Sequence, residues 1–317
     1  MIEVNGLVKK YGKKTVLNHV SFKVNEGEIL GFLGPNGAGK STTMNIITGN
    51  ISATEGTIAI DGNEIRESPL AAKKKLGYLP ELPPLYPDMT VKEYLSFVYR
   101  LKRCGITKKA HLEEVCSAVK ITDVYNRAIK NLSKGYKQRI GIAQTLIGAP
   151  KVLVLDEPTV GLDPKQIIEI RNLIRQLGKD RTVILSSHIL SEIQAVCDRV
   201  VLINDGKIIA DDTTESLSNR LEGNCLKIRA EGKAKEIETA LRNLNGVRSV
   251  QRLGCKEEGC CEFEIRGREQ TDIRRTVAGY FKNSPWLLLE LSVAGLSLEN
   301  IFLKLTGERI ENGEDEL

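Results

Sequence analysis

The eight residues Gly34-Pro35-Asn36-Gly37-Ala38-Gly39-Lys40-Ser41 constrain this chain more than any other stretch. Before them runs Ile29-Leu30-Gly31-Phe32-Leu33, an apolar run that reads as a buried strand. After them Thr42 to Thr48, with Met44, Ile46 and Ile47, reads as a short helix. Three glycines between a strand and a helix let the backbone wrap an anion with its N–H groups pointing inward. The helix start adds the positive end of its dipole. The spacing is G-x-x-x-x-G-K-[ST], which places Lys40 on the terminal phosphates of a nucleotide and the Ser41 hydroxyl on Mg²⁺. Gly34, Pro35, Asn36, Gly37, Ala38, Gly39, Lys40, Ser41 and Thr42 form the expected phosphate cradle. A chance Gly-rich turn lacks the flanking strand and helix. The stretch therefore predicts binding of a nucleoside triphosphate.

A phosphate loop needs a second carboxylate for its metal. Val152-Leu153-Val154-Leu155, following Pro150, is a continuous apolar run of the kind that forms a parallel strand covered on both faces. Asp156 closes that run at the carboxyl edge, where α/β sheets hold their ligands, and is the expected Mg²⁺ partner of Ser41. Glu157 follows at once and is the expected general base toward an attacking water.

The rest of the chain supplies the frame. Glu3 to Val8 and Val16 to Val24 read as antiparallel strands with Tyr11 on the loop between them, and Thr57 to Ile60 is a strand closed by Asp61-Gly62. From Asp88 to about Ile147 the pattern is helical: Val91, Tyr94, Leu95, Val98 and Leu101 recur at helical spacing, and Thr90 with Glu93 makes a capping box. Asp163-Pro164 opens a helix that ends near Gly178. Thr182 to Leu185 is another buried strand, leading to a helix with Leu190, Ile193 and Val196, and a hairpin follows around Asn204-Asp205-Gly206. The fold class is α/β, a P-loop NTPase domain over residues 1–217 with an antiparallel β subdomain and a helical subdomain at about 88–148. Beyond it the order strand, helix, strand, strand, helix, strand predicts a small α+β ferredoxin-like domain over 224–306. A last helix, Ser297 to Leu305, and an acidic tail over 307–317 complete the expectation.

With the frame in place, a family becomes visible. Leu132-Ser133-Lys134-Gly135-Tyr136-Lys137-Gln138-Arg139 resembles the signature motif of ABC-type ATPases. Lys134 and Tyr136 depart from the commonest Leu-Ser-Gly-Gly-Gln form, while Ser133 and Gly135, matching the positions that touch phosphate in the family, are intact. Gly161-Leu162-Asp163 resembles the loop through which two subunits communicate, His188 resembles the switch histidine that contacts γ-phosphate, and Tyr11 resembles the aromatic that stacks on adenine. Glu81 stands where many members carry glutamine, and its carboxylate is expected to ligate Mg²⁺ or orient water. The stretch from Tyr78 to Val91, the Leu-Ser-Lys-Gly-Tyr form and Ser297 to Phe302 resemble the bacterial ABC-2 exporter subset.

The resemblance implies a head-to-tail pair of ATPase subunits sandwiching two ATP molecules with Mg²⁺, as a homodimer or with a sister subunit. A separate integral membrane permease would contact the transported substrate. The chain itself has no run of eighteen or so apolar residues, so it is expected in the cytoplasm, peripheral on the inner face of the cell membrane. A net charge of +5 over 317 residues argues against a nucleic-acid partner. Seven scattered cysteines are expected reduced, with Cys255, Cys260 and Cys261 on an ordinary hairpin and not at a metal. The rival reading is an ABC ATPase acting on a ribosome or on DNA-repair machinery. Ribosomal members usually carry two such domains and repair types carry coiled-coil or zinc inserts, and neither is seen here. A third reading makes the C-terminal domain a regulatory ligand-binding module, for which the sequence offers no polar cluster.

Overall fold

The computed structural model describes residues 1–214, 216, 225–257, 259–268 and 271–293. The chain divides into two compact units, Met1–Thr213 and Thr214–Leu317. The expected helix Ser297 to Leu305, the acidic tail, the Ser297 to Phe302 motif and the boundary at Leu217 lie outside the described residues.

The first unit holds two sheets. Strands β1 (Ile2–Tyr11), β2 (Lys14–Val24), β4 (Glu55–Ile60) and β5 (Asn63–Glu64) form an antiparallel sheet in the order β2-β1-β4-β5. Tyr11 closes β1 and pairs with Lys14, so it belongs to the strand and not to the loop expected for it. The second sheet comprises β3 (Ile29–Leu33), β6 (Leu76–Leu79), β7 (Val152–Asp156), β8 (Thr182–Ser187), β9 (Arg199–Asn204) and β10 (Lys207–Thr213), in the order β10-β9-β3-β8-β7-β6. Five of these are parallel; β10 returns antiparallel to β9. Every residue of β3, β7 and β8 is buried, which is why apolar residues run through them without alternation, with Asp156, Thr182, Ser186 and Ser187 as polar residues at the strand ends.

Helix α1 (Lys40–Ile47) joins the cores of the two sheets. Met44, Ile46 and Ile47 bury among Val4, Leu17 and Ile58 of the first sheet and Val154 and Ile184 of the second. Phe22 of β2 and Phe32 of β3 meet with ring centroids 5.3 Å apart. Each such side chain contributes roughly 1.5–3 kcal/mol by leaving water, so the phosphate loop is pinned at both ends by core packing.

Helices α2 (Pro69–Lys74), α3 (Val91–Leu101), α4 (Lys108–Ala118), α5 (Lys134–Leu146), α6 (Pro164–Gly178) and α7 (Leu190–Val196) complete the unit. Thr90 and Glu93 cap α3 reciprocally, and Val91, Tyr94, Leu95 and Val98 are buried. Leu101, the last of the expected stripe, is 69% exposed. The helix ends there, and Lys102 turns inward instead, its ammonium reaching the carbonyls of Gln144, Thr145 and Ile147 at the end of α5. The edge strand β6 and the short α2 carry no periodicity long enough to read from sequence.

The second unit holds β11 (Cys225–Glu231), α8 (Ala234–Arg242), β12 (Val247–Glu257), β13 (Cys260–Gly267), α9 (Arg274–Lys282) and β14 (Leu287–Val293). Its sheet is antiparallel in the order β12-β13-β11-β14, and Ile237, Leu241, Val277 and Phe281 of the helices pack on Leu226, Ile228, Phe263 and Ile265. The β12–β13 hairpin sets Cys255 and Cys261 with Cα atoms 4.2 Å apart, and the two are disulfide-bonded. The expectation of seven reduced thiols is corrected for this pair. Among the described residues no helix is long and apolar enough to cross a membrane, and no group of three or more His, Cys, Asp or Glu is arranged to hold a metal.

Candidate nucleotide site

The loop from Gly34 to Gly39 joins β3 to α1 as the spacing requires. Gly39 has φ +108°, and a Cβ there would lie 2.6 Å from Leu17 Cδ2, so both the turn and the press of β2 demand glycine. Ala38 spends its N–H on the Pro35 carbonyl at 3.2 Å and its methyl group in the core. Lys40 folds back over the loop, donating to the carbonyls of Gly34 at 2.8 Å and Pro35 at 3.2 Å. Its ammonium also lies 3.4 Å from Glu157 Oε1, and both side chains are more than nine-tenths buried.

Strands β7 and β8 place the carboxylates. Ser186, at the end of β8, donates its hydroxyl to Asp156 Oδ1 at 2.5 Å and accepts the Glu157 N–H at 2.9 Å. Glu157 sits at φ +48°, a left-handed backbone that a non-glycine residue holds only when its surroundings impose it. Its Oε2 lies 2.9 Å from His188 Nδ1. Burial pushes the Asp156 carboxyl above the usual range, against the hydroxyls of Ser186 and Ser41, which favour its charged form, while the charges of Glu157 and Glu81 add to the rise. Burial, with the charges of Asp156 and Glu81 nearby, also drives the Tyr78 phenol well up.

A cavity of about 510 Å³ opens over this arrangement. Asn36, Gly37, Gly39, Lys40, Ser41 and Thr42 line it from the loop and helix, and Glu81, Glu157 and His188 line it from the strand ends. Asp156 does not line it and is tied through the Ser186 hydroxyl to Glu157, which does, while Gly34 and Pro35 act on it through Lys40. Tyr11, Ser133, Gly135 and Asp163 do not line it. The Tyr11 ring is 52% exposed, with the Lys9 ammonium 4.8 Å from its centroid.

Ser133, Gly135 and Asp163 form a second group. Ser133 caps α5 by accepting from Tyr136 N at 3.4 Å, and Asp163 caps α6 by accepting from Gln166 N at 2.9 Å. The two helix starts pack on each other: a Cβ on Gly135 would lie 2.7 Å from Gln166 Cδ, and Gln138 donates to the Pro158 carbonyl at 2.6 Å. The departures from the commonest signature have local partners. The Lys134 ammonium occupies the place of a side chain on Gly161, at φ +69°, and the Tyr136 hydroxyl donates to Asp123 at 2.6 Å. Sequence reasoning gave no role to Ser186, Thr159 or Glu192. Ser186-Ser187 before His188 was the one readable sign, since two adjacent hydroxyls ending a fully buried strand need polar partners.

The ABC transporter family pattern matches residues 17–160. The linearmycin resistance ATP-binding protein of Bacillus subtilis is 34% identical across 98% of this chain and 100% of its own length. The bacitracin transport ATP-binding protein of Bacillus licheniformis is 39% identical across 69% of this chain and 72% of its length. Among solved structures, a dimeric ATP-binding cassette in a post-hydrolysis state with ADP and phosphate superposes with a TM-score of 0.61 at 26% identity, covering 67% of this chain and 98% of that one. A phosphate loop facing Glu157 and His188 across one cavity, on this fold and with these relatives, has one reading: the chain belongs to the ABC transporter ATP-binding proteins and is an ATPase subunit of that family.

Proposed function

We propose that this chain powers an exporter of the ABC-2 kind, as one of two ATPase subunits that close head to tail around two ATP molecules and drive a separate membrane permease. The observation that carries the reading is the division of the anion-binding groups. Lys40, Ser41, Glu157 and His188 line one cavity, while the capped helix starts of Ser133, Gly135 and Asp163 stand outside it in the same chain. A second copy, or a sister subunit, brings its Ser133 segment to this cavity and completes the phosphate shell.

Within the site, Lys40 and the loop N–H groups hold the phosphates, and the Tyr11 face stacks on adenine. Ser41 in the first turn of α1 and Asp156 at the end of β7 offer hard oxygen donors, which fits Mg²⁺, and Glu81 stands at the same cavity. Bound there, Mg²⁺ supplies neutralisation of the phosphate charge. Glu157 takes the proton of the attacking water, and His188, now on Glu157 Oε2, turns to the γ-phosphate. The subunit works peripherally on the inner face of the membrane, and the transported substrate touches only the permease. Relatives named for lantibiotic and bacitracin transport support the transport role. We assign 1–217 to the ATP-binding domain and 224–306 to a ferredoxin-like accessory domain, for which the strand order β12-β13-β11-β14 is the support.

The test is a pull-down of tagged Glu157→Gln chain with ATP from detergent-solubilised native cells. A polytopic membrane protein that co-purifies with ATP and not with ADP supports the reading. Ribosomes or DNA-repair proteins in its place would overturn the transport role and leave the ATPase standing.

A further inference from the structure

Behind the cavity stands a carboxylate that the nucleotide chemistry leaves unused. Glu192, in the first turn of α7, is 4% exposed and does not line the cavity. Its Oε2 accepts from the hydroxyls of Thr159 and of Ser187, the latter at 3.1 Å. Ser187 Oγ also accepts from the Ile189 N–H at 3.0 Å. On the far side Arg171 of α6 brings Nη2 to 4.0 Å from Glu192 Oε1.

A buried carboxylate is costly unless its partners compensate, and a packed apolar side chain is often as stable in its place. What Glu192 supplies and a leucine cannot is one acceptor shared by two segments. Thr159 lies two residues beyond Glu157, and Ser187 immediately precedes His188. One oxygen therefore ties together the two backbones whose side chains meet at 2.9 Å inside the cavity.

We propose that Glu192 is a positioning residue for ATP hydrolysis: through Thr159 and Ser187 it fixes the segments carrying Glu157 and His188 relative to each other. This rests on the roles given to Glu157 and His188 above. Arg171 extends the link to the helix that begins at Asp163, so a shift of the Gly161–Asp163 loop reaches both arms together. The effect falls on the chemical step and not on nucleotide binding, because Lys40 bonds to Gly34, Pro35 and Glu157 while Glu192 bonds to Thr159 and Ser187, away from the cavity lining.

The test uses the full chain with four single variants and one double variant, and with Glu157→Gln as the reference for lost chemistry. Thr159→Val and Ser187→Ala each remove one hydroxyl, Glu192→Leu removes the acceptor, and Glu192→Gln keeps an oxygen in its place. Glu192→Leu is expected to lower kcat by about a hundredfold, the loss that a misplaced catalytic group brings, with ADP affinity unchanged. Glu192→Gln is expected to retain kcat within about threefold. Thr159→Val and Ser187→Ala are each expected to lower kcat by about tenfold, and the double variant no further, since either change breaks the same link. Undiminished kcat in Glu192→Leu, or losses that multiply in the double variant, would overturn the proposal. If Glu192→Leu does not fold, the two hydroxyl variants decide. Full turnover in Glu157→Gln would instead overturn the base assignment beneath it, and is distinguishable because that variant leaves Glu192 untouched.

Discussion

Glu157 holds Lys40. Its Oε1 lies 3.4 Å from the ammonium, both side chains are buried, and the remaining donors of Lys40 are taken by the Gly34 and Pro35 carbonyls. In the proposed mechanism phosphate draws Lys40 away from Glu157, and in doing so frees the carboxylate assigned to the attacking water. Binding and readiness for hydrolysis are thus the two ends of one ion pair.

Glu157→Gln should therefore bind ADP more tightly than the wild type, by about three- to tenfold, because the charge competing for Lys40 is gone. ADP is the right probe because no hydrolysis intervenes. Calorimetric titration showing equal or weaker affinity would contradict the pairing.

Lys40→Ala should lose tight ATP binding, by about a hundredfold, because it removes the charge-assisted contact to phosphate. It also leaves Glu157 with His188 alone, and breaking a buried pair from one side costs about 3–5 kcal/mol. A nucleotide titration alongside denaturant unfolding checks both effects.

Ser186→Ala removes the hydroxyl shared by Asp156 and the Glu157 N–H. A buried donor left without a partner costs about 1–3 kcal/mol, and Glu157 loses the contact that holds its left-handed backbone. Urea midpoints should fall and turnover should fall with them. Unchanged turnover would show that Glu157 is held by other means.

Lys102 makes stability depend on pH. Burial pushes its ammonium down to about 8 from the ordinary 10.5. Between those values the unfolded chain keeps a proton that the folded chain has lost, so stability rises with pH across the window and is lost as pH falls through about 8. Measured against Lys102→Met, the unfolding free energy of the wild type should gain up to about 1.4 kcal/mol per pH unit in that window. A difference that stays flat with pH would contradict the burial.

The parts legible in the sequence are those whose chemistry is local. The phosphate loop, the β7 strand with Asp156, the Thr90–Glu93 box and the Asp163 cap are each specified within a few neighbouring residues, and the structure shows each. What the sequence hid depends on distant partners. Glu192 meets Thr159 across 33 residues, and Ser186 meets Asp156 across 30, so neither hydrogen bond leaves a local pattern. Strand β6 is four residues long and exists because β7 is there to pair with it. Lys102 was hidden for another reason: a lysine after an apolar stripe reads as a solvated helix end, and only the carbonyls of α5 turn it inward.

The most direct test of the central claim is the solution mass of the Glu157→Gln chain, by sedimentation, with ATP and with ADP. The account predicts that ATP doubles the mass and ADP does not, because only γ-phosphate reaches the partner's Ser133 segment. A chain that binds ATP to saturation and stays single would contradict the shared site.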